Sequence, residues 1–444
     1  HRPVHRIHIS HTSHSGRVRS VVASRVTRVA PVEQRRALAK GLILVGAATL
    51  VGNGAAYLLS MVAARRLTQA EFGAFGALLG ILIIIATLSL AIQALTARRV
   101  AVAGPQGRAV GGQFIRLSAI IGVTVVIVGA LISWPLAPVF SMPYAALALG
   151  MASVGVTVFG TAALGIAQGL EEHSRFSIGF IANGGARAVT GIVFVLIWPN
   201  IVGVAAGILV GLIIGSVIGY LVICPGAWSS TLARGSGVEF GHITHALMVL
   251  FTLTNVDVLL ARIFLSEESS GEYSVGVLLA KIAFFLPNAI IIVLFPKMTA
   301  GNSRRTVLLA TGLTATIGVV ITGFSLAFGD LVIRVLGGEK YVGLGLGSDA
   351  WLFALEGSAF ALVQVLLYAR MAAQDRKAVI LVWIALIVQT AVIALWRHNS
   401  VAEIVTTVAA VSLLLTVAGL FLDTRQAQAA MADDEPVVPI EAAE

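Results

Sequence analysis

The sequence contains very little charge. Of its 444 residues, only 11% are Asp, Glu, Lys or Arg, whereas 58% are hydrophobic and the mean hydropathy is +0.95. A soluble globular domain carries about 25% charged residues, so this chain could not cover a surface that faces water. The composition therefore predicts an integral membrane protein.

Cysteine and catalytic motifs are also scarce. The one cysteine, Cys224, excludes a disulfide framework and any zinc site built on several cysteines. The chain has no nucleophile elbow, no HExxH pair and no Walker motif. We therefore expect no enzymatic activity, no cofactor and no bound metal.

Long apolar stretches are what the chain has in abundance. About 20 apolar residues cross the hydrocarbon core as a helix, which satisfies its own backbone there. Twelve stretches qualify, so we predict an all-α integral membrane fold of about 12 transmembrane helices. The predicted spans are Gly41–Ala63, Ala74–Leu95, Leu117–Trp134, Ala145–Ala167, Phe176–Trp198, Ile201–Cys224, Ile243–Ala261, Tyr273–Phe295, Thr306–Phe328, Ala350–Ala369, Ala378–Trp396 and Ile404–Leu422.

Lysine and arginine are distributed unevenly between the loops on the two sides. If the N-terminus is inside, 22 of the 30 Lys and Arg residues fall on the inner side and six, including Arg262, fall in outer loops. The positive-inside rule then places both termini in the cytoplasm of a multi-pass protein in the cell membrane. The net charge of +9 is a topology signal in this setting, so we expect no nucleic-acid partner.

Landmarks of the first six predicted spans recur in the last six. Gly73-Ala74-Phe75 corresponds to Gly271-Glu272-Tyr273 at an offset of 198 residues, and Tyr144 corresponds to Tyr341 at an offset of 197. Parallel six-helix repeats around a central cavity are a transporter architecture, although glycine-rich helices can also match by chance. The predicted domains are a basic, disordered cytoplasmic tail (1–40), an N-terminal six-helix lobe (41–224), a cytoplasmic inter-lobe loop (225–241), a C-terminal six-helix lobe (242–422) and an acidic cytoplasmic tail (423–444).

Glycine recurs at every fourth position of the sixth predicted span. Small residues on one helix face let neighbouring backbones approach closely in lipid. We predict that this glycine ridge packs within the N-terminal half and is not a homodimer face. The ridge consists of Gly203, Gly207, Gly211, Gly215 and Gly219.

Four ionisable residues interrupt the predicted spans: Arg187, Asp257, Lys281 and Glu356. Each costs about 2.5–3.5 kcal/mol at the bilayer centre, so each should face a partner or a wet cavity. In one interpretation, Arg187 and Lys281 attract an anionic headgroup in a cavity between the lobes. Asp257 and Glu356 would then pair with these cations or carry a coupling H⁺ or Na⁺. The alternative is two buried salt bridges that only lock the bundle.

Four short motifs share their order and spacing with a known family. They are Ala64–Gly73, which is similar to R-x-L-x-x-x-E-[FY]-G; Gly165–Gly169 with Arg175-Phe176; Asn255-x-Asp257 through Gly271-Glu272-Tyr273 to Phe295-Pro296; and Leu336-Gly337 with Tyr341. Together they cover roughly residues 40–425. In these motifs the chain resembles the polysaccharide flippases of the multidrug/oligosaccharidyl-lipid/polysaccharide exporter superfamily.

The resemblance implies two lobes that rock around a cavity and turn a polyprenyl-diphosphate-linked oligosaccharide across the membrane, without covalent chemistry. The implied partners are the lipid-linked saccharide, membrane lipids and the polysaccharide synthesis machinery. An ion-coupled exporter of drugs or small cations and a membrane scaffold for a synthesis complex remain alternatives. The candidate headgroup-binding residues are Arg187, Lys281, Asn183, Arg65 and Arg66.

Overall fold

The computed structural model describes residues 32–227, 237–287, 303–372 and 377–433. Helix is the only regular secondary structure in these residues, which confirms the predicted all-α class. The chain divides into two units, His1–Ile43 and Leu44–Glu444. Of the first unit only residues 32–43 are described, and they are helical.

Fifteen α-helices lie in the described residues, with short 3₁₀ turns at Gly104–Gln106 and Glu339–Tyr341. We refer to α1–α7 as the first half and to α8–α15 as the second half. The helices are α1 Val32–Arg66, α2 Gln69–Ile85, α3 Thr87–Ala103, α4 Gly107–Val139, α5 Tyr144–Gly169, α6 His173–Ile197, α7 Ile201–Ile223, α8 Gly237–Leu253, α9 Val256–Phe264, α10 Glu267–Phe285, α11 Ser303–Ala327, α12 Gly329–Gly337, α13 Leu346–Ala372, α14 Lys377–Leu395 and α15 Val401–Asp433.

Eight helical stretches of the described chain are long and apolar enough to cross a membrane, or nine if the bent pair α8–α9 counts as one span. One stretch, Gln69–Val139, has 71 residues. At 1.5 Å per residue it would measure about 105 Å, more than three times the hydrocarbon core. The turn after α3, where Gly104 has a φ of 53°, therefore divides it. The protein is a multi-pass membrane protein, and the count of 12 stays a prediction.

Several predicted features lie outside the described residues. They include the tail before residue 32, loop residues 228–236, the predicted span Tyr273–Phe295 beyond residue 287 with its Phe295-Pro296 motif, and the C-terminal residues after 433. The predicted domain boundaries accordingly stay a prediction.

Equivalent side-chain caps begin α2 and α10. Thr68 Oγ1 accepts a hydrogen bond from the Glu71 amide at 3.2 Å, and Glu71 Oε2 accepts one from the Thr68 amide at 3.3 Å. Such a capping box satisfies amides that lack partners inside the helix. Ser266 caps α10 by accepting from the Ser269 amide at 3.1 Å. Thr68 and Ser266 are 198 positions apart, the same offset as the sequence landmarks.

Equivalent residues also face each other where α2 packs against α10. A Cβ atom on Gly73 would lie 2.8 Å from the Gly271 amide nitrogen, and one on Gly76 would lie 2.7 Å from Ser274 Cβ. Both pairs are separated by 198 positions. When two repeats are related by a two-fold axis, each residue near the axis lies opposite its equivalent in the other repeat. The Gly73–Gly271 and Gly76–Ser274 contacts have this form. The missing side chains at positions 73 and 76 allow this close approach of the two halves.

The glycine ridge of α7 packs against α6, as predicted. Cβ atoms on Gly207, Gly211 and Gly215 would each lie 2.5–2.7 Å from backbone atoms of α6. A Cβ on Gly219 would meet nothing within 4 Å, so the contact ends before the last ridge position. A Cβ on Gly211 would lie 2.5 Å from the Cα of Arg187. The ridge therefore helps to position the helix that carries this arginine.

Candidate functional site

A cavity of about 260 Å³ lies among α1, α2, α5, α6, α7 and α10. Arg187 of α6 and Lys281 of α10 both line it, so two of the predicted charges share one space although they come from different halves of the chain. Most of the other lining side chains are aliphatic or aromatic. Its further polar lining residues are Asn53, Tyr57, Ser60, Ser153 and Thr157.

The described lining of this cavity contains no aspartate or glutamate. Arg187 takes part in none of the salt bridges found among the described residues. Its buried Nε has no hydrogen-bond partner in that part of the chain. A charged side chain within a membrane bundle is costly unless a partner or a wet cavity compensates it. This guanidinium therefore lines the cavity without an ion-pair partner among the described residues.

Lys281 lies at the junction of two cavities. It lines the large cavity and also a second, much smaller one of about 30 Å³, whose lining includes Asn255 and Glu356. Its Nζ donates a hydrogen bond to Asn255 Oδ1 at 2.7 Å. Its backbone carbonyl accepts from the Tyr57 hydroxyl at 3.1 Å, which connects α10 to α1.

The two predicted carboxylates lie outside the large cavity. Asp257 and Glu356 are only 1% and 3% exposed. Asp257 Oδ2 accepts a hydrogen bond from the Tyr273 hydroxyl at 2.7 Å, whereas Asp257 Oδ1 and Glu356 Oε2 have no partner in the described chain. No salt bridge within that part joins either acid to Arg187 or Lys281. Neither acid thus forms a salt bridge among the described residues, although the charges of both act on Lys281, and their roles in charge pairing or ion coupling stay predictions.

A break between α8 and α9 places Asn255 beside Lys281. The two helices meet at Thr254 and Asn255 with a bend of 46°. The Leu253 carbonyl at the break accepts a hydrogen bond from buried Gln389 Nε2 at 3.2 Å. Discontinuous helices often border substrate sites in transporters. Neither proline nor glycine lies at this break, so the sequence offers no signal for it.

Three predicted headgroup residues are absent from the lining of this cavity. Asn183 lies on α6 with its backbone against α7. Arg65 and Arg66 are exposed at the end of α1, where Arg65 Nη2 donates to the Val335 carbonyl at 2.8 Å. Eight residues of helix, or about 12 Å, separate Arg65 from Tyr57 on the cavity wall. The structure thus does not bring these three residues into the cavity with Arg187 and Lys281, and their part in headgroup binding stays a prediction.

Arg262 joins the two halves at the end of the bundle near Gly73. We expected it in an outer loop, but it is only 5% exposed. Its Nε and Nη2 donate to the carbonyls of Phe140 and Ser141 at 2.9 and 2.8 Å, and its Nη1 donates to the Ala70 carbonyl at 3.2 Å. Nη1 also donates to Ser270 Oγ at 3.0 Å. Burial is tolerated because these acceptors satisfy the guanidinium.

Further contacts close the same end. Lys340 Nζ donates to the Leu67 carbonyl, and Gln69 Nε2 donates to the Lys340 carbonyl at 3.1 Å. Burial lowers the pKa of Lys340, and nearby Glu71 acts in the opposite direction. Together with Arg262 and the Gly73–Gly271 contact, these bonds form what we call the closed end.

The contacts between α3 and α8 are more exposed. Glu239 of α8 accepts hydrogen bonds from Arg98 at 2.6 Å and Arg99 at 2.8 Å, and these arginine side chains are 71% and 42% exposed. Exposed ion pairs of this kind contribute about 0–1 kcal/mol. They hold the two halves together less firmly than the buried contacts of the closed end.

Comparison with known proteins places this geometry in a family. A profile described as polysaccharide biosynthesis protein matches residues 38–301, more than half of the chain. No curated protein is matched by the sequence.

The fold is similar to solved transporter structures. An inward-facing multidrug resistance MATE family transporter of the MOP superfamily has a TM-score of 0.71 at 14% identity, covering 87% of this chain and 96% of that one. An outward-facing structure of such a transporter has a TM-score of 0.64 at 15% identity, with coverage of 88% and 96%. A MOP superfamily transporter from Pyrococcus furiosus, described by a reverse polarity of its binding pocket that suggests a different function, has a TM-score of 0.63 at 15% identity and the same coverage.

Identities this low show the fold alone, which is that of the MOP superfamily transporters. The profile match runs from within α1 through α2–α7 of the first half and α8–α10 of the second. The chain belongs to the polysaccharide biosynthesis protein family.

Proposed function

We propose that this protein is a transporter that moves a polyprenyl-diphosphate-linked oligosaccharide across the cytoplasmic membrane by alternating access, for cell-surface polysaccharide biosynthesis. One observation supports this substrate above all. Arg187 and Lys281, from different halves of the chain, line one cavity whose described wall has no carboxylate. Such a cavity favours an anion.

A diphosphate is suited to these two cations. Arginine presents a planar fork of donors that binds phosphate oxygens in pairs, and lysine acts as a compact point charge. Both interactions are stronger in a cavity shielded from water than on a surface. The rest of the wall is mostly apolar, and its polar residues Asn53, Tyr57, Ser60, Ser153 and Thr157 are the groups left for a saccharide.

The origin of the two cations in different halves supports alternating access. An anion that contacts both α6 and α10 would bind with a free energy that depends on how the halves are placed, so substrate binding could shift the conformational equilibrium. The TM-score is higher to an inward-facing structure, at 0.71, than to an outward-facing one, at 0.64. Because an inward-facing transporter is closed on its outer side, this difference favours the closed end as the outer end. This assignment agrees with the expected cytoplasmic termini.

The same cavity disfavours the two alternatives. A cationic drug would have to approach Arg187 and Lys281 with no carboxylate on the described wall to offset them. A scaffold protein would gain nothing from two cations facing a cavity, because each is costly inside a membrane.

Charge-neutral variants test the proposal. Arg187→Gln and Lys281→Met each remove one contact to phosphate, and a loss of about 1.4 kcal/mol corresponds to about tenfold. We expect each variant to lower the rate at which proteoliposomes translocate a fluorescent polyprenyl-diphosphate-linked disaccharide by at least that factor.

The control is Arg397→Gln, which removes an exposed arginine from the α14–α15 connection. It should leave translocation unchanged, and all three variants should insert and unfold at similar temperatures. Wild-type rates in both Arg187→Gln and Lys281→Met would refute the proposed substrate. Transport of a cationic dye by the wild type, with no movement of the disaccharide, would favour the exporter.

A further inference from the structure

The Asn255 side chain is fixed by three hydrogen bonds at the break between α8 and α9. Its Nδ2 donates to the Phe251 carbonyl at 2.8 Å and to Thr254 Oγ1 at 3.1 Å. Its Oδ1 accepts from Lys281 Nζ at 2.7 Å. The residue is 3% exposed, so water offers few competing partners. A rotated amide would point its NH₂ group at the ammonium, so only one orientation suits this environment.

The hydrogen-bond acceptor of the Lys281 ammonium is thus a neutral amide and not a carboxylate. Glu356 lines the second cavity together with Lys281, yet no salt bridge in the described chain joins them. A carboxylate that captured the ammonium would neutralise it and weaken its attraction for an anion. A neutral amide oxygen holds the ammonium in place without forming an ion pair, and the charges of Asp257 and Glu356 act on Lys281 only from a greater distance than a salt bridge.

We propose that Asn255 is a positioning residue that holds Lys281 at the junction of the two cavities, where its charge is available to substrate phosphate. The inference rests on the proposed function, because it assumes an anionic substrate in the cavity with Arg187. The inference goes further than the proposed function in one respect: the affinity for substrate phosphate depends on Asn255, the neutral hydrogen-bond acceptor at the α8–α9 break. During binding, phosphate oxygens compete with Asn255 Oδ1 for the lysine protons.

The isosteric substitution Asn255→Asp tests this role. The new carboxylate would form an ion pair with Lys281 at the same distance and cancel its charge. We expect the KM for the polyprenyl-diphosphate-linked disaccharide to rise about tenfold, equivalent to about 1.4 kcal/mol, while kcat stays within about twofold. Thr252→Val is the control, because it removes a hydroxyl that donates to the Met248 carbonyl on the same helix, adds no charge and leaves the three bonds of the Asn255 side chain in place; its KM should stay near the wild-type value.

A double-mutant cycle separates positioning from a general structural effect. Binding of the same disaccharide in detergent is measured for Asn255→Asp, for the neutral variant Asn255→Leu, for Lys281→Met and for the double variant Asn255→Leu with Lys281→Met. If Asn255 acts through Lys281, Asn255→Leu weakens binding in the wild-type background and has no further effect beside Lys281→Met.

The other outcomes contradict the inference in distinguishable ways. An equal loss in both backgrounds would show that Asn255 acts through the helix break and not through Lys281. Normal binding by Asn255→Asp together with weak binding by Lys281→Met would refute the positioning role and leave the proposed function intact. Normal binding by Lys281→Met would refute both.

Discussion

Three buried or half-buried cations in this bundle differ in what their donors contact. Arg262 donates four hydrogen bonds to protein acceptors, and Lys281 donates to one amide oxygen. The Nε of Arg187 has no partner in the described chain. Buried polar groups are normally satisfied, so an unsatisfied one requires an explanation. Satisfied donors indicate a structural role for Arg262, whereas the other two cations retain donors for a ligand.

Replacing Arg262 should loosen the closed end. Arg262→Gln removes charge-assisted hydrogen bonds that contribute about 1.5–3 kcal/mol each, and it leaves the carbonyls of Phe140 and Ser141 without their donor. We expect the distance between spin labels at Val139 and Leu331, both exposed near this end, to become longer and broader. Pulsed electron–electron double resonance in a Cys224→Ser background would measure this change.

The same label pair provides the comparison for that experiment. Arg397→Gln removes an exposed arginine of the α14–α15 connection, and its distance distribution should match that of the parent protein. An unchanged distribution in Arg262→Gln would show that the two halves stay together at this end without the arginine.

At the scale of single elements, small residues decide where helices touch. The ridge on α7 lets the backbone of α6 approach closely, and Gly73 and Gly76 do the same between α2 and α10. Lipid supplies no hydrophobic drive between helices, so close van der Waals contact has to stabilise the bundle. The orientation of Arg187 is consequently a property of the α6–α7 contact as much as of the arginine itself.

The ridge offers a matched pair of substitutions. A Cβ on Gly211 would lie 2.5 Å from the Cα of Arg187, whereas one on Gly219 would meet nothing within 4 Å. Gly211→Ala should cost about 1–3 kcal/mol through overpacking and lower the thermal unfolding midpoint in detergent. Gly219→Ala should be neutral or stabilising by up to about 1 kcal/mol, because alanine favours helix. Equal midpoints for both variants would contradict this account of the ridge.

Sequence patterns predicted the helical membrane fold because their signals are local. Apolar length, glycine spacing and the cost of buried charge can each be evaluated along one segment. The ridge on α7 and the four charges within spans were found in this way. The repeat offset was also visible, because caps and tight helix contacts need particular residue types at particular positions.

Features that depend on tertiary contacts were missed. Arg262 was expected in a loop, because three of its four acceptors come from distant segments that no local pattern connects to it. Arg65 and Arg66 were grouped with the cavity by charge alone, and the length of α1 separates them from it. The helix break at Asn255 has no proline or glycine signal. The role of Asn255 became visible only when its partner Lys281 was located.

At the scale of the whole molecule, α2 and α10 meet through equivalent residues at the closed end. The buried contacts there include the four hydrogen bonds of Arg262, whereas α3 and α8 are joined by exposed ion pairs to Glu239. Opening the closed end requires α2 and α10 to separate near Gly73 and Gly271. If the proposed alternating access is correct, a covalent bond across this contact should stop transport.

A cysteine pair at Gly76 and Ser274 places such a bond across the two halves. Their Cβ atoms would lie 2.7 Å apart, so a shift of about 1 Å allows the 3.5–4.5 Å spacing of a disulfide. In a Cys224→Ser background, oxidation should reduce translocation of the lipid-linked disaccharide to the background of empty liposomes, and reduction should restore it. Gly160 and Ser216 provide the same residue types within the first half, with a Cβ separation of 3.3 Å. That second pair should cross-link without stopping transport, because α5 and α7 need not separate. Full activity of the oxidised Gly76–Ser274 pair would show that the closed end does not open.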